Sequence, residues 1–192
     1  GKQYSQLYFT DDAVLSVVGF DPNLNSGVNA PIPTPALPNN LLAPFWGDFK
    51  IVYDEQAGTG VRIAGAYSGA VMFLEYDGLQ SAKTAGSINV EAMVSRDVNP
   101  FGPEIIFAFD HAAGTLPGTV TGLENATGTE GAAWDDPVGA DNQLICYDWT
   151  TDGPVLEYSA LVDANAPLDT ELDTIVDSSL TAPETGPATA AT

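Results

Sequence analysis

The chain has 192 residues, enough for one domain to bury roughly 70% of its unfolded surface without metal or disulfide staples. Five Lys plus Arg oppose 26 Asp plus Glu, a formal charge of −21, and such a field repels nucleic acid and anionic membrane surfaces. Hydrophobic residues make up 44% of the chain, yet no apolar run approaches the roughly 20 residues of a spanning helix, so membrane insertion is not expected either.

No basic segment with an apolar core follows Gly1, so the sequence reads as a mature chain or an excised domain. Leu7 to Phe9 and Val14 to Val18 are the first strand candidates. Thr10-Asp11-Asp12-Ala13 lies between them, and its carboxylates can accept neighbouring backbone N–H groups, which predicts an opening hairpin. From Asp21 to Asn40 the chain carries Pro22, Pro31, Pro33, Pro35 and Pro38. Proline lacks the N–H donor, so an extended surface crossover is expected there. Phe45 and Trp46 follow as apolar anchors entering a strand. Phe49 to Tyr53, Val61 to Ala64 and Ala70 to Tyr76 are further strands. Ile88, Val90, Ala92 and Val94 alternate with polar or smaller neighbours, the period of a strand with one buried face.

Glu104 to Phe109 is the next strand, and Ala112 to Asn142 is a loop-rich region with six glycines and a short strand at Val120 to Glu124. Gln143 to Tyr147 and Val155 to Val162 complete the pattern. About nine strands with Pro and Gly punctuation predict an all-β fold, a two-layer antiparallel β-sandwich of jelly-roll-like character with long Pro/Gly-rich loops. Residues 1–163 read as that sandwich. Residues 164–192 read as a C-terminal linker or stalk, in which Leu168, Leu172, Ile175 and Val176 have the spacing of a short docked helix.

Catalytic chemistry has few carriers. His111 is the one imidazole, placed just after a strand, and no Gly-x-Ser-x-Gly elbow is present, so no enzyme activity is expected. Cys146 is the single cysteine and reads as a core thiol, leaving too few soft ligands for a zinc site. Glu75 and Glu91 are the strand carboxylates best placed for glycoside hydrolysis, but a solvated sheet face in an acidic protein explains them more simply. Asp135, Asp136 and Asp141 form the densest oxygen cluster for calcium, with no other cofactor expected, against ordinary Asx turns.

Trp134 joins these three carboxylates and Asn142 on a segment expected to be an exposed loop. An aromatic face beside carboxylates and an amide suits a neutral polysaccharide, although tryptophans are more often packed than presented. Asn125-Ala126-Thr127 is an N-glycosylation sequon, making Asn125 the glycosylation candidate.

Two blocks carry a family resemblance. Leu37-Pro38-Asn39-Asn40-Leu41-Leu42-Ala43-Pro44-Phe45-Trp46-Gly47-Asp48-Phe49 resembles a block of nidogen-type extracellular domains and of related bacterial and fungal β-sandwich modules, and Val120-Thr121-Gly122-Leu123-Glu124-Asn125-Ala126-Thr127-Gly128-Thr129-Glu130-Gly131 resembles a block of those bacterial and fungal modules. That resemblance implies a secreted or surface-displayed, non-catalytic module for adhesion or matrix interaction, partnered by cell-surface or matrix polysaccharide or protein. Two other roles follow the same fold: a targeting domain of a secreted hydrolase, and a structural subunit that self-associates through strand edges.

Overall fold

Two antiparallel sheets face each other across a shared core in the computed structural model, which describes residues 5–19, 21–95, 104–134, 142–150 and 153–161. In chain order the strands are β1 (Tyr8–Phe9), β2 (Leu15–Ser16), β3 (Leu41–Trp46), β4 (Phe49–Lys50), β5 (Gly60–Ala66) and β6 (Val71–Ser81). They continue with β7 (Ser87–Ser95), β8 (Glu104–Ala113), β9 (Val120–Glu124), β10 (Gly131–Trp134), β11 (Gln143–Thr150) and β12 (Gly153–Leu161). The smaller sheet runs β1-β2-β3-β9-β10, and the larger runs β12-β11-β8-β7-β6, with both β4 and β5 pairing along β6. This is the sandwich that the strand pattern predicts.

The inward faces supply the core. Leu74, Tyr76, Ile88, Val90, Phe107 and Phe109 of the larger sheet meet Leu15, Leu42, Phe45 and Leu123 of the smaller one. The Phe45 ring lies 5.4 Å from Phe49 and 5.8 Å from Phe109 between centroids, within the range where tilted aromatic pairs attract. Tyr76 carries its hydroxyl through this core and donates it to the Thr10 carbonyl at 2.9 Å. Burial in that setting pushes its phenol pKa well up, so it remains a neutral donor.

Leu41–Trp46 is a central strand that period-two reading does not find, because both of its faces are buried. The Pro-rich crossover covers the outer face, where Leu24 and Ile32 pack on Leu41, Ala43 and Trp46. Pro44 is tolerated because the pairing with β9 shifts register between Ala43 and Trp46. Its carbonyl accepts from Thr121 Oγ1 at 2.9 Å, and proline is otherwise rare in a paired strand.

Two expectations about side chains are corrected. The Asp12 carboxylate accepts not from its own turn but from Gly27 N at 2.9 Å and Phe49 N at 3.1 Å, tying the hairpin to the crossover and to β4. Trp134 is not on an irregular loop, since it ends strand β10 opposite Thr121. No helix among the described residues is long and apolar enough to cross a membrane.

Candidate functional site

The side chains singled out from the sequence fall in different places. Trp134 is half-buried and packs against the main core, with its indole Nε1 buried and unpartnered. Part of its ring is therefore committed to packing. Asn142 precedes β11 in the left-handed region, at φ 62°, which Asn tolerates better than most residues. Asp135, Asp136 and Asp141 lie outside the described residues. Among the described residues no three His, Cys, Asp or Glu side chains are arranged to hold a metal ion.

Asn125 is the hub of the β9–β10 turn. Its Oδ1 accepts from Thr127 N and Thr127 Oγ1, each at 3.1 Å, and from Thr129 N at 3.2 Å. Its Nδ2 donates to Glu130 Oε2 at 3.0 Å. The amide nitrogen that would carry a glycan is thus already engaged inside the turn. Cys146 is buried, as a core thiol should be, and packs with Val71, Met93, Ile106 and Leu144 on the outward side of the larger sheet. His111 belongs to β8 rather than following it. It sits at φ 53°, where the β7–β8 register shifts, with its ring beside the Asp110 carboxylate.

Glu75 and Glu91 are brought together. They are direct cross-strand partners on β6 and β7, with Arg62 of β5 opposite Glu75, so all three side chains share the outward face. Burial raises the pKa of both acids, and the neighbouring Asp77 carboxylate raises each further. Glu91 also faces Glu75, while its partner on β8 is the uncharged Ala108. Its carboxyl is pushed up to about 7.

Next to this row lies a shallow recess of about 170 Å³, walled by Tyr53, by Asp54, Glu55, Gly58 and Thr59 of the following turn, and by Gly60, Val61, Arg62 and Asp77. The turn is closed by reciprocal backbone hydrogen bonds between Asp54 and Thr59 at 3.0 and 3.2 Å. Within it, the Asp54 carboxylate accepts from Gln56 N at 2.9 Å and Ala57 N at 3.1 Å. Arg62 is held from both sides. Its Nη1 pairs with Asp77 and reaches Glu75 at 3.5 Å, and its Nη2 donates to the Gly58 carbonyl at 2.9 Å.

Tyr53 stands 77% exposed at the rim. Gly60, at φ 141°, leaves room for it, since a Cβ there would come within 3.1 Å of the ring. Neither Glu75 nor Glu91 lines the recess. Sequence reading missed this site because it treated Tyr53 as the end of a strand. An aromatic followed directly by Asp-Glu-Gln-Ala-Gly, a turn sequence, was the signal available.

The site can stack a flat apolar face on Tyr53 while Arg62 and the carboxylates address hydroxyl groups. Comparisons with known proteins find no matching family model, curated protein or solved structure. The fold therefore defines the class, an all-β sandwich.

Proposed function

We propose that this chain is a non-catalytic, extracellular recognition module of the adhesion or matrix-interaction kind, and that neutral polysaccharide is its ligand. The observation that carries the proposal is Tyr53, an aromatic face 77% exposed beside the fixed Arg62–Asp77 pair and the polar turn Asp54–Thr59. Sugars present one apolar ring face and a rim of hydroxyls, and this combination of stacking and directional hydrogen bonding matches both. Neutral ligands are favoured because a chain of charge −21 repels anionic ones at long range. Extracellular display is supported by the two nidogen-like blocks, which are neighbours in space, since β3 pairs with β9.

The test is binding to a glycan array and to cell-wall polysaccharide by the wild type, Tyr53→Ala and Trp134→Ala. Tyr53→Ala is expected to lose about tenfold or more in affinity, the scale of one aromatic contact. Trp134→Ala is expected to lose less. Equal binding by wild type and Tyr53→Ala would remove the recess as the site. Loss only in Trp134→Ala would move recognition to the Trp134–Asn142 segment.

A further inference from the structure

We propose that β5 is a self-association edge, through which two copies of this chain join their larger sheets by antiparallel β5–β5 pairing about a two-fold axis. The proposal does not depend on the sugar-binding reading. β5 pairs with β6 along its whole length without a register shift, from Gly60 opposite Asp77 to Ala66 opposite Val71. Among the described residues no strand pairs with its other side. The backbone N–H and C=O groups of an edge strand on that side are free to accept another strand.

Natural sheet edges are usually guarded by Pro, Lys, a bulge or great shortness. β1 and β4 are two residues each. β12, the opposite edge of the larger sheet, starts with Gly153-Pro154 and lies against β10. β5 has none of these guards. Its one charge, Arg62, is drawn over the sheet face to Asp77, Glu75 and the Gly58 carbonyl, away from the open edge.

The side chains add a second reason. Ile63 is the partner of Leu74, so it shares the inward face of the sheet. Leu74 is buried in the core, but Ile63 is 60% exposed. The larger sheet therefore overhangs the smaller one at β5, leaving an apolar side chain on the core side without a cover.

A second copy fits this edge because the strand is self-complementary. Centring the two-fold axis on Ile63 sets Ile63 against its own equivalent, Arg62 against Ala64, and Val61 against Gly65. No charge then faces a like charge, and the two exposed isoleucines become a cross-strand apolar pair. The seam is short, so the dimer is weak and concentration-dependent rather than obligate. With −21 on each copy, it strengthens as salt screens the repulsion.

Sedimentation equilibrium from about 10 to about 500 µM protein, at about 0.05 and about 0.5 M NaCl, tests the proposal. Wild type is expected to move from monomer towards twice the monomer mass with concentration, and further in high salt. Ile63→Lys is expected to stay monomeric with an unchanged circular dichroism spectrum. Val28→Lys, a substitution at another exposed apolar residue, is expected to dimerise normally. In the wild type, amide exchange should slow with concentration at residues 61–66. A monomer under every condition, species growing beyond the dimer, equal weakening by both variants, or concentration-dependent protection elsewhere but not in β5 would each overturn it.

Discussion

At the scale of single residues, the Glu91 carboxyl sets a pH dependence whose sign can be worked out. In an unfolded chain its pKa is near 4.5, whereas burial, Glu75 and Asp77 together lift it to about 7 in the fold. Between these values the folded protein binds the proton more tightly than the unfolded chain, so the stability this carboxyl contributes is fully present below about pH 4.5 and is lost as pH rises through about 7. The full shift corresponds to about 3 kcal/mol. Arg62 relieves little of it, since that guanidinium is shared with Asp77 and the Gly58 carbonyl. Thermal melts from pH 5 to pH 8 should therefore show falling stability in the wild type and a flatter profile in Glu91→Gln, which gains most at pH 8. Glu55→Gln removes the same formal charge from the exposed turn and should keep the wild-type slope. Identical profiles in the two variants would assign the slope to overall charge instead.

At the scale of elements, the β9–β10 turn and the Pro-rich crossover hold each other in place. Glu124 of β9 accepts from Thr34 N at 3.0 Å, and Asn40 N donates to the Asn125 carbonyl at 3.0 Å. Gly128 closes the contact. It sits at φ 61° and packs so tightly that a Cβ would overlap the Thr34 carbonyl oxygen. Gly128→Ala is expected to destabilise the fold by ~2–4 kcal/mol, from left-handed backbone strain plus the steric overlap. Gly118→Ala, with open space around it, should be nearly neutral, and paired urea titrations would show the contrast.

The same elements show what was legible in the sequence. Alternation revealed β7 because one of its faces is buried in the core, and apolar content flagged Phe45 and Trp46, which are 0% and 1% exposed. β3 escaped because both its faces are covered and Pro44 interrupts it. β10 escaped because Gly131-Ala132-Ala133 carries almost no side-chain signal. The recess was illegible for a related reason: Tyr53, Arg62 and Asp77 are joined only by the β5–β6 register, which no local pattern encodes.

At the scale of the whole molecule, the charge of −21 arises from 26 Asp plus Glu with only five Lys plus Arg to offset them. Among the described residues Arg62 is paired with Asp77 and Glu75, and Lys83 with Asp48 at 3.1 Å, whereas Asp12, Glu75 and Glu91 each lie near other carboxylates. Folding draws these charges together, so the native state carries more self-repulsion than the unfolded chain. Because exposed charges are screened over about 8–10 Å near physiological salt, raising NaCl from a low level should raise the melting temperature. One kcal/mol of relief would appear as roughly 2–4 °C in a domain of this size. Edge pairing could mimic that rise, so Ile63→Lys at low protein concentration must show it as well. An unchanged melting temperature would mean the acids are too dispersed to interact. Calcium at matched ionic strength separates screening from binding. A further rise that disappears in the double variant Asp135→Asn and Asp136→Asn would mark a specific cation site, because only bound ligand adds stability through its own affinity for the native state.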